Sequence, residues 1–146
     1  MIVGHLPAAY LVAKGVQRLD PDSLRGGLFL TFVIGGIAPD FDMLWFHLVD
    51  HGTMHHHDYL THRPAVWAVL LGLAQFGASL RIAQHAAVFS LGALLHLSLD
   101  SIAGKIAWAW PVSDFAAPFV IVPATQSHWV LSFLLHWTFA VEIAIS

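Results

Sequence analysis

Apolar residues in this chain come in runs cut by single charges. The runs are 1–13, 26–39 between Arg25 and Asp40, 64–80 between Arg63 and Arg81, 82–99, and 115–141 between Asp114 and Glu142. They predict helices at 5–19, 24–38, 64–80, 84–100 and 127–144. The punctuation agrees with this. "PDS" at 21–23 turns the chain, Pro39 ends the second helix, Pro64 suits a helix start, and Pro111, Pro118 and Pro123 keep 104–124 irregular. No internal repeat is visible. The run 64–80 would reach about 25 Å as a helix, just short of a hydrocarbon core of about 30 Å. The expected fold is therefore all-α, a polytopic membrane bundle of about five short helices, forming a single domain over 1–146.

Composition points to the same solvent. The chain is 58% hydrophobic and 10% charged, with a mean hydropathy of +0.71, whereas roughly a quarter of residues are charged in soluble domains. A net charge of -3 and no basic cluster exclude nucleic acid as a partner. With no cysteine, any metal must be held by imidazole, carboxylate or water. "MIVGHLPAAYLVA" carries no charge, and Lys14 and Arg18 follow it rather than precede it. It lacks the layout of a cleaved secretory signal and is expected to be retained, with His5 in it.

If each helix crosses the bilayer, one face collects the His5 end, Asp40 and Asp42, "HHHDYLTHRP" at 55–64, His96 and Asp100, and the connection 101–126. Trp45, Trp67, Trp108, Trp110 and Trp129 fall at that face, as an interfacial aromatic belt requires. Lys14, Arg18, Arg25 and Arg81 lie toward the other face, against Arg63 and Lys105 on the first. By the positive-inside rule the candidate ligands face away from the cytoplasm.

Four stretches carry chemistry. In "HLSLD", His96 and Asp100 stand at i and i+4, so both side chains reach one point from one helix face. They read as metal ligands or as a buried hydrogen-bonded pair. "GGIAPDFD" offers Asp40 and Asp42, as ligands or as an ordinary helix-end loop. His57 and His62 are five apart, so only a turn between them would aim both inward. His55 and His56 read as a solvated loop. Arg63 would face either a substrate anion or Asp58. His5 begins the first helix, as ligand or cap, and His128 is a further possible contributor. His47, His51 and His85 read as surface or interfacial residues, and His136 as a packed polar one.

"GHLPAAYL", "GGIAPDFD", "HHDYLTH" and "HLSLDS", followed by "WAWP", resemble the YdjM-like family of membrane-bound metal-dependent hydrolases over residues 4–111. Its PDxD, H-x-x-x-T-H and H-x-x-x-D elements match Asp40, Asp42, His57, His62, His96 and Asp100. The chain departs at Asp58, Tyr59 and Arg63. The order also looks like a reduced form of zinc-dependent phospholipase C and its nuclease relatives. Their second H-x-x-x-D is absent, since Ser132 and Ala140 stand four residues after His128 and His136.

The resemblance implies one or two divalent metals, zinc by preference, in a hydrolase of the inner (cytoplasmic) membrane acting on a phosphoester of a lipid or amphiphile. His5, Asp40, Asp42, His57, His62, His96 and Asp100 would be its ligands, with Asp42 also a candidate base and Arg63 a candidate substrate contact. A divalent-metal carrier, and a non-catalytic membrane protein with a structural metal, are the rival expectations.

Overall fold

The computed structural model describes residues 3–51, 53 and 55–145, with the side chain of Trp129 outside that description. The described elements are all helical. They are α1 (His5–Leu19), α2 (Leu28–Gly35), a 3-10 turn Ala38–Phe41, α3 (Asp42–Leu48), 3-10 turns His56–Asp58 and Leu60–His62, α4 (Pro64–Gln75), α5 (Arg81–Asp100), α6 (Trp129–Leu134) and α7 (Trp137–Ile145).

Helix α1 has the expected bounds, and Pro64 opens α4 at its first turn, where its missing N–H costs nothing. Several expectations change. Helix α4 stops at Gln75, short of 80, and α5 begins at Arg81, ahead of 84. Helix α2 covers less than 24–38: Gly26 and Gly27 adopt positive φ of 61° and 92° just before it, and Pro39 sits inside the following 3-10 turn. The unexpected α3 follows at once, bent by 56° from α2. The expected 127–144 helix is two, broken where Nδ1 of His136 accepts the Thr138 N–H and meets its hydroxyl. A histidine that satisfies a downstream backbone donor starts a new helix there instead of continuing the old one.

Helix α5 is the hub, with α1, α2 and α4 packed on it. Its 20 residues span about 28 Å, close to a bilayer core. It is the one described helix long and apolar enough by itself to cross a membrane, while α2 with the bent segment Ala38–Leu48 passes as a pair, and α4 is apolar but shorter. The close packing of α2 and α5 runs through glycines. A Cβ at Gly92 would stand 2.8 Å from the Gly36 nitrogen and run into the Phe32 carbonyl, and one at Gly35 would lie 3.0 Å from the Phe89 backbone. A Cβ at Gly36 would press on Ala9 at 2.5 Å, which draws α1 in. Small residues that let backbones approach this closely are how helices associate in lipid.

The interior mixes the two kinds of side chain: His5, Asp42, His57, His62, His96, Asp100 and Glu142 are buried alongside Ala9, Ala13, Leu24, Phe32, Val33, Leu97 and Ile106. The exterior carries Leu6, Leu11, Leu30, Val69, Leu73, Phe76 and Leu91.

The glycine contacts make a direct prediction. Gly92→Ala must move backbone atoms and should cost about 1–3 kcal/mol of stability. Gly15→Ala and Gly72→Ala lie mid-helix with nothing near the new Cβ, and should stabilise by about 0.5–1 kcal/mol. Thermal unfolding of the three variants in detergent checks the order. A Gly92→Ala protein as stable as the parent would show that α2 and α5 do not pack this tightly.

Candidate metal centre

Five segments deliver the site, each for a local reason. The first turn of α1 carries His5. Pro39 winds the chain into the 3-10 turn that presents Asp40. Two consecutive 3-10 turns, separated by extended Tyr59, turn both His57 and His62 inward despite their awkward spacing. The last two turns of α5 give His96 and Asp100 from one face, and Trp67 Nε1 ties the Thr61 carbonyl at 2.7 Å, pinning the turn that bears His62.

Each of Asp40, His62, His96 and Asp100 offers one ligand atom within 4.8 Å of the others. Nε2 of His96 is 3.1 Å from Asp100 Oδ2 and 3.6 Å from Asp40 Oδ1. Nε2 of His62 is 3.6 Å and 4.0 Å from the same two oxygens. Donors bonded to one tetrahedral zinc stand about 3.4 Å apart, so these four His–Asp pairs lie near ligation distance. This buried set is suited to holding a metal ion.

Its tautomers are set from behind. Nδ1 of His62 donates to Asp42 Oδ2 at 2.7 Å, and Nδ1 of His96 donates to the Gly36 carbonyl at 2.9 Å. Both acceptors lack a proton, so in the neutral rings Nε2 keeps its lone pair and aims it at the carboxylates. Neither Nε2 has a hydrogen-bond partner among the described residues, although both are buried. A carboxylate or carbonyl behind a histidine, with the opposite nitrogen left open, is the usual support of a metal ligand.

The remaining predicted residues take distinct places. Asp42 lies on the Nδ1 side of His62, where its Oδ2 accepts from that ring and from the Thr61 hydroxyl and so orients the ring. His5 spans the other oxygens of the two carboxylates, Nδ1 3.2 Å from Asp40 Oδ2 and Nε2 3.1 Å from Asp100 Oδ1, with its ring stacked 3.7 Å from His96. His57 approaches from the side, Nε2 3.6 Å from Asp100 Oδ2. A Cβ at Gly104 would lie 2.9 Å from its Nδ1, so that glycine makes room for the ring. Arg63 contacts Asp58 at 3.6 Å and the Trp110 ring at 5.9 Å, the Asp58 pairing being one of its two expected readings. His128 caps α6 by accepting the Val130 N–H, and His85, expected at the surface, bonds Thr31 Oγ1 at 2.7 Å.

Glu142 escaped the sequence reading. Buried on α7, it accepts the backbone N–H groups of Val3 and of Gly4, the latter at 2.7 Å, and so fixes the start of α1 that carries His5. The signal was there, an acid closing a long apolar run, which in an apolar setting asks for buried partners.

Electrostatics separates the two loop histidines. For His57, burial is the main effect, and the neighbouring imidazoles His56, His62 and His55 reinforce it against the pull of Asp100, pushing the ring down to about 3. For His62, burial also pulls down, but hydrogen bonding to Asp100 and Asp42 outweighs it and lifts the ring to about 9. Without an ion the proton on His62 supplies the positive charge between the acids.

No protein-family model, curated protein or solved structure matches this chain.

Two measurements follow from this geometry. Asp42→Ala should weaken metal binding at this centre by about 10–100-fold by freeing the His62 ring, whereas His62→Ala, His96→Ala and Asp100→Ala, each checked for folding, should abolish binding at this centre. Competition titration against a chelator reads both, and an Asp42→Ala protein with native affinity would contradict the orienting role. Because an ion on His62 displaces a proton below pH of about 9, apparent affinity should rise about tenfold per pH unit up to that point and level off above it. An affinity independent of pH over that range would contradict it.

Proposed function

We propose that the chain is a membrane-embedded, metal-dependent hydrolase that cleaves a phosphoester of a lipid or amphiphilic substrate. The observation that carries this reading is the pair of open, buried Nε2 atoms of His62 and His96, set 3.1–4.0 Å from the oxygens of two carboxylates. Two imidazoles with two carboxylates suit zinc. A divalent ion held by these residues would supply a bound water whose pKa falls to about 7 and a positive charge to polarise the bond to be cut. The resemblance of the PDxD, H-x-x-x-T-H and H-x-x-x-D elements to membrane-bound hydrolases supports the same chemistry.

The protein's own groups supply orientation and access. Asp42 and the Gly36 carbonyl hold the two rings, and His5 steadies the two carboxylates. Asp40 is the exposed member of the centre, with 38% of its side chain accessible, so a substrate would approach beside it. The rim there is apolar: Phe41, Leu44, Trp45 and Leu48 are all exposed on the segment that follows. An acyl chain resting on that rim would bring a phosphate head to Asp40.

The many exposed large apolar side chains and the glycine-mediated packing support a lipid surround for a polytopic bundle, with His96 and Asp100 at the end of α5 near the interface. Lys14, Arg18, Arg25 and Arg81 against Arg63 and Lys105 favour a site facing away from the cytoplasm, in an inner membrane. A metal carrier fits less well, because the ligands gather at one end and no ionisable residue in 64–80 continues a path.

The test is turnover by detergent-purified, zinc-loaded protein of phosphomonoesters and phosphodiesters presented in micelles. Hydrolysis should be abolished by a chelator, restored by zinc, and lost in folded His62→Ala. Folded, metal-loaded protein that cleaves none of these esters would overturn the reading. For orientation, Ser113→Cys introduces a unique thiol in the connection after α5. It should be labelled from outside the cytoplasm, and labelling from the cytoplasmic side alone would reverse the assignment.

A further inference from the structure

The histidines that precede the acidic centre are not a solvated stretch. His57 is more than nine-tenths buried and His56 is half-buried, with only His55 exposed. Nδ1 of His56 and Nδ1 of His57 are both buried without a hydrogen-bond partner among the described residues. The three rings converge although the residues are consecutive. Their centroids are 4.0 Å apart for His56 and His57, 5.0 Å for His55 and His57, and 5.2 Å for His55 and His56. The cause is the backbone: His55 is extended at the head of a 3-10 turn, so its ring folds back over the two that follow.

We propose that His55, His56 and His57 form a second metal site, made of imidazole alone, that takes a zinc-like transition ion. Each ring offers one nitrogen, and the three nitrogens lie within 4.8 Å of one another. A tetrahedral ion needs its donors about 3.4 Å apart, so the rings close by about 1 Å on loading, a movement the exposed His55 makes freely. The bond that loading gives up is long, the 3.3 Å hydrogen bond from the His57 N–H to Nδ1 of His55. Three neutral ligands leave a fourth position open.

The two sites would differ in chemistry. The acidic centre has two carboxylates and accepts hard or borderline cations. The imidazole site has no oxygen ligand and selects zinc, nickel or copper over magnesium and manganese. They lie side by side, since the His56 ring is stacked 5.3 Å from His62 and His57 Nε2 is 3.6 Å from Asp100. Nothing in this assignment depends on hydrolysis.

The experiment is equilibrium dialysis of the metal-free, detergent-purified full chain against zinc or manganese, read by elemental analysis. The native protein should hold two zinc ions but one manganese ion. His55→Ala removes an exposed side chain and the long bond it accepts from the His57 N–H, and its fold is checked by circular dichroism. It should hold one zinc and one manganese, and His56→Gln should behave the same way. Asp100→Asn should keep one zinc and lose manganese. A native protein that binds a single zinc, or a His55→Ala protein that still binds two, would overturn the second site.

Discussion

Two carboxylates, buried Asp100 and half-buried Asp40, crowd against four imidazoles, and the architecture follows from what that arrangement requires. Like charges a few ångströms apart in an interior of low polarity repel strongly, so a positive charge must sit between them. In the chain by itself a proton on His62 supplies it, with the ring held at about 9 by its acidic partners. A divalent cation would supply it better, because the Nε2 atoms of His62 and His96 already aim at the same point. The supports all serve that geometry: Asp42 behind His62, the Gly36 carbonyl behind His96, and Glu142 gripping the start of α1.

The carbonyl that orients His96 belongs to a glycine whose close packing also sets how near α1 comes. Helix approach and ligand direction are thus one constraint. Gly35, Gly36 and Gly92 bring α2, α5 and α1 together, and the same approach places the 3-10 turn bearing Asp40 over the end of α5. In the lipid surround proposed above, close contact between these small residues would hold the helices together.

Much of this was legible along the chain, for reasons that can be named. Helix α1 and the start of α4 followed from apolar runs and from Pro64, which are local signals. The His96 and Asp100 pair followed from helical periodicity alone. The joint approach of His57 and His62 depended on a break between them, and the double 3-10 turn provides it. What the sequence hid was long-range. Asp42 and Asp40 look alike in "PDFD", and only the position of His62 decides which one orients and which one faces the centre. Arg63 is drawn to Asp58 and Trp110 by the fold of the loop. Glu142 acts on residues at the opposite end of the chain, a pairing that no local pattern encodes. The histidine run looked like loop because its burial comes from α5 and from the space that Gly104 leaves.

The central claim is that His62, His96, Asp40 and Asp100 bind one ion together. The most direct measurement is X-ray absorption at the zinc edge on His55→Ala protein loaded with a single equivalent. The account predicts a shell of about four nitrogen and oxygen neighbours at about 2.0–2.1 Å, with the outer-shell scattering of two imidazoles. A six-coordinate, water-like shell without imidazole scattering would contradict it.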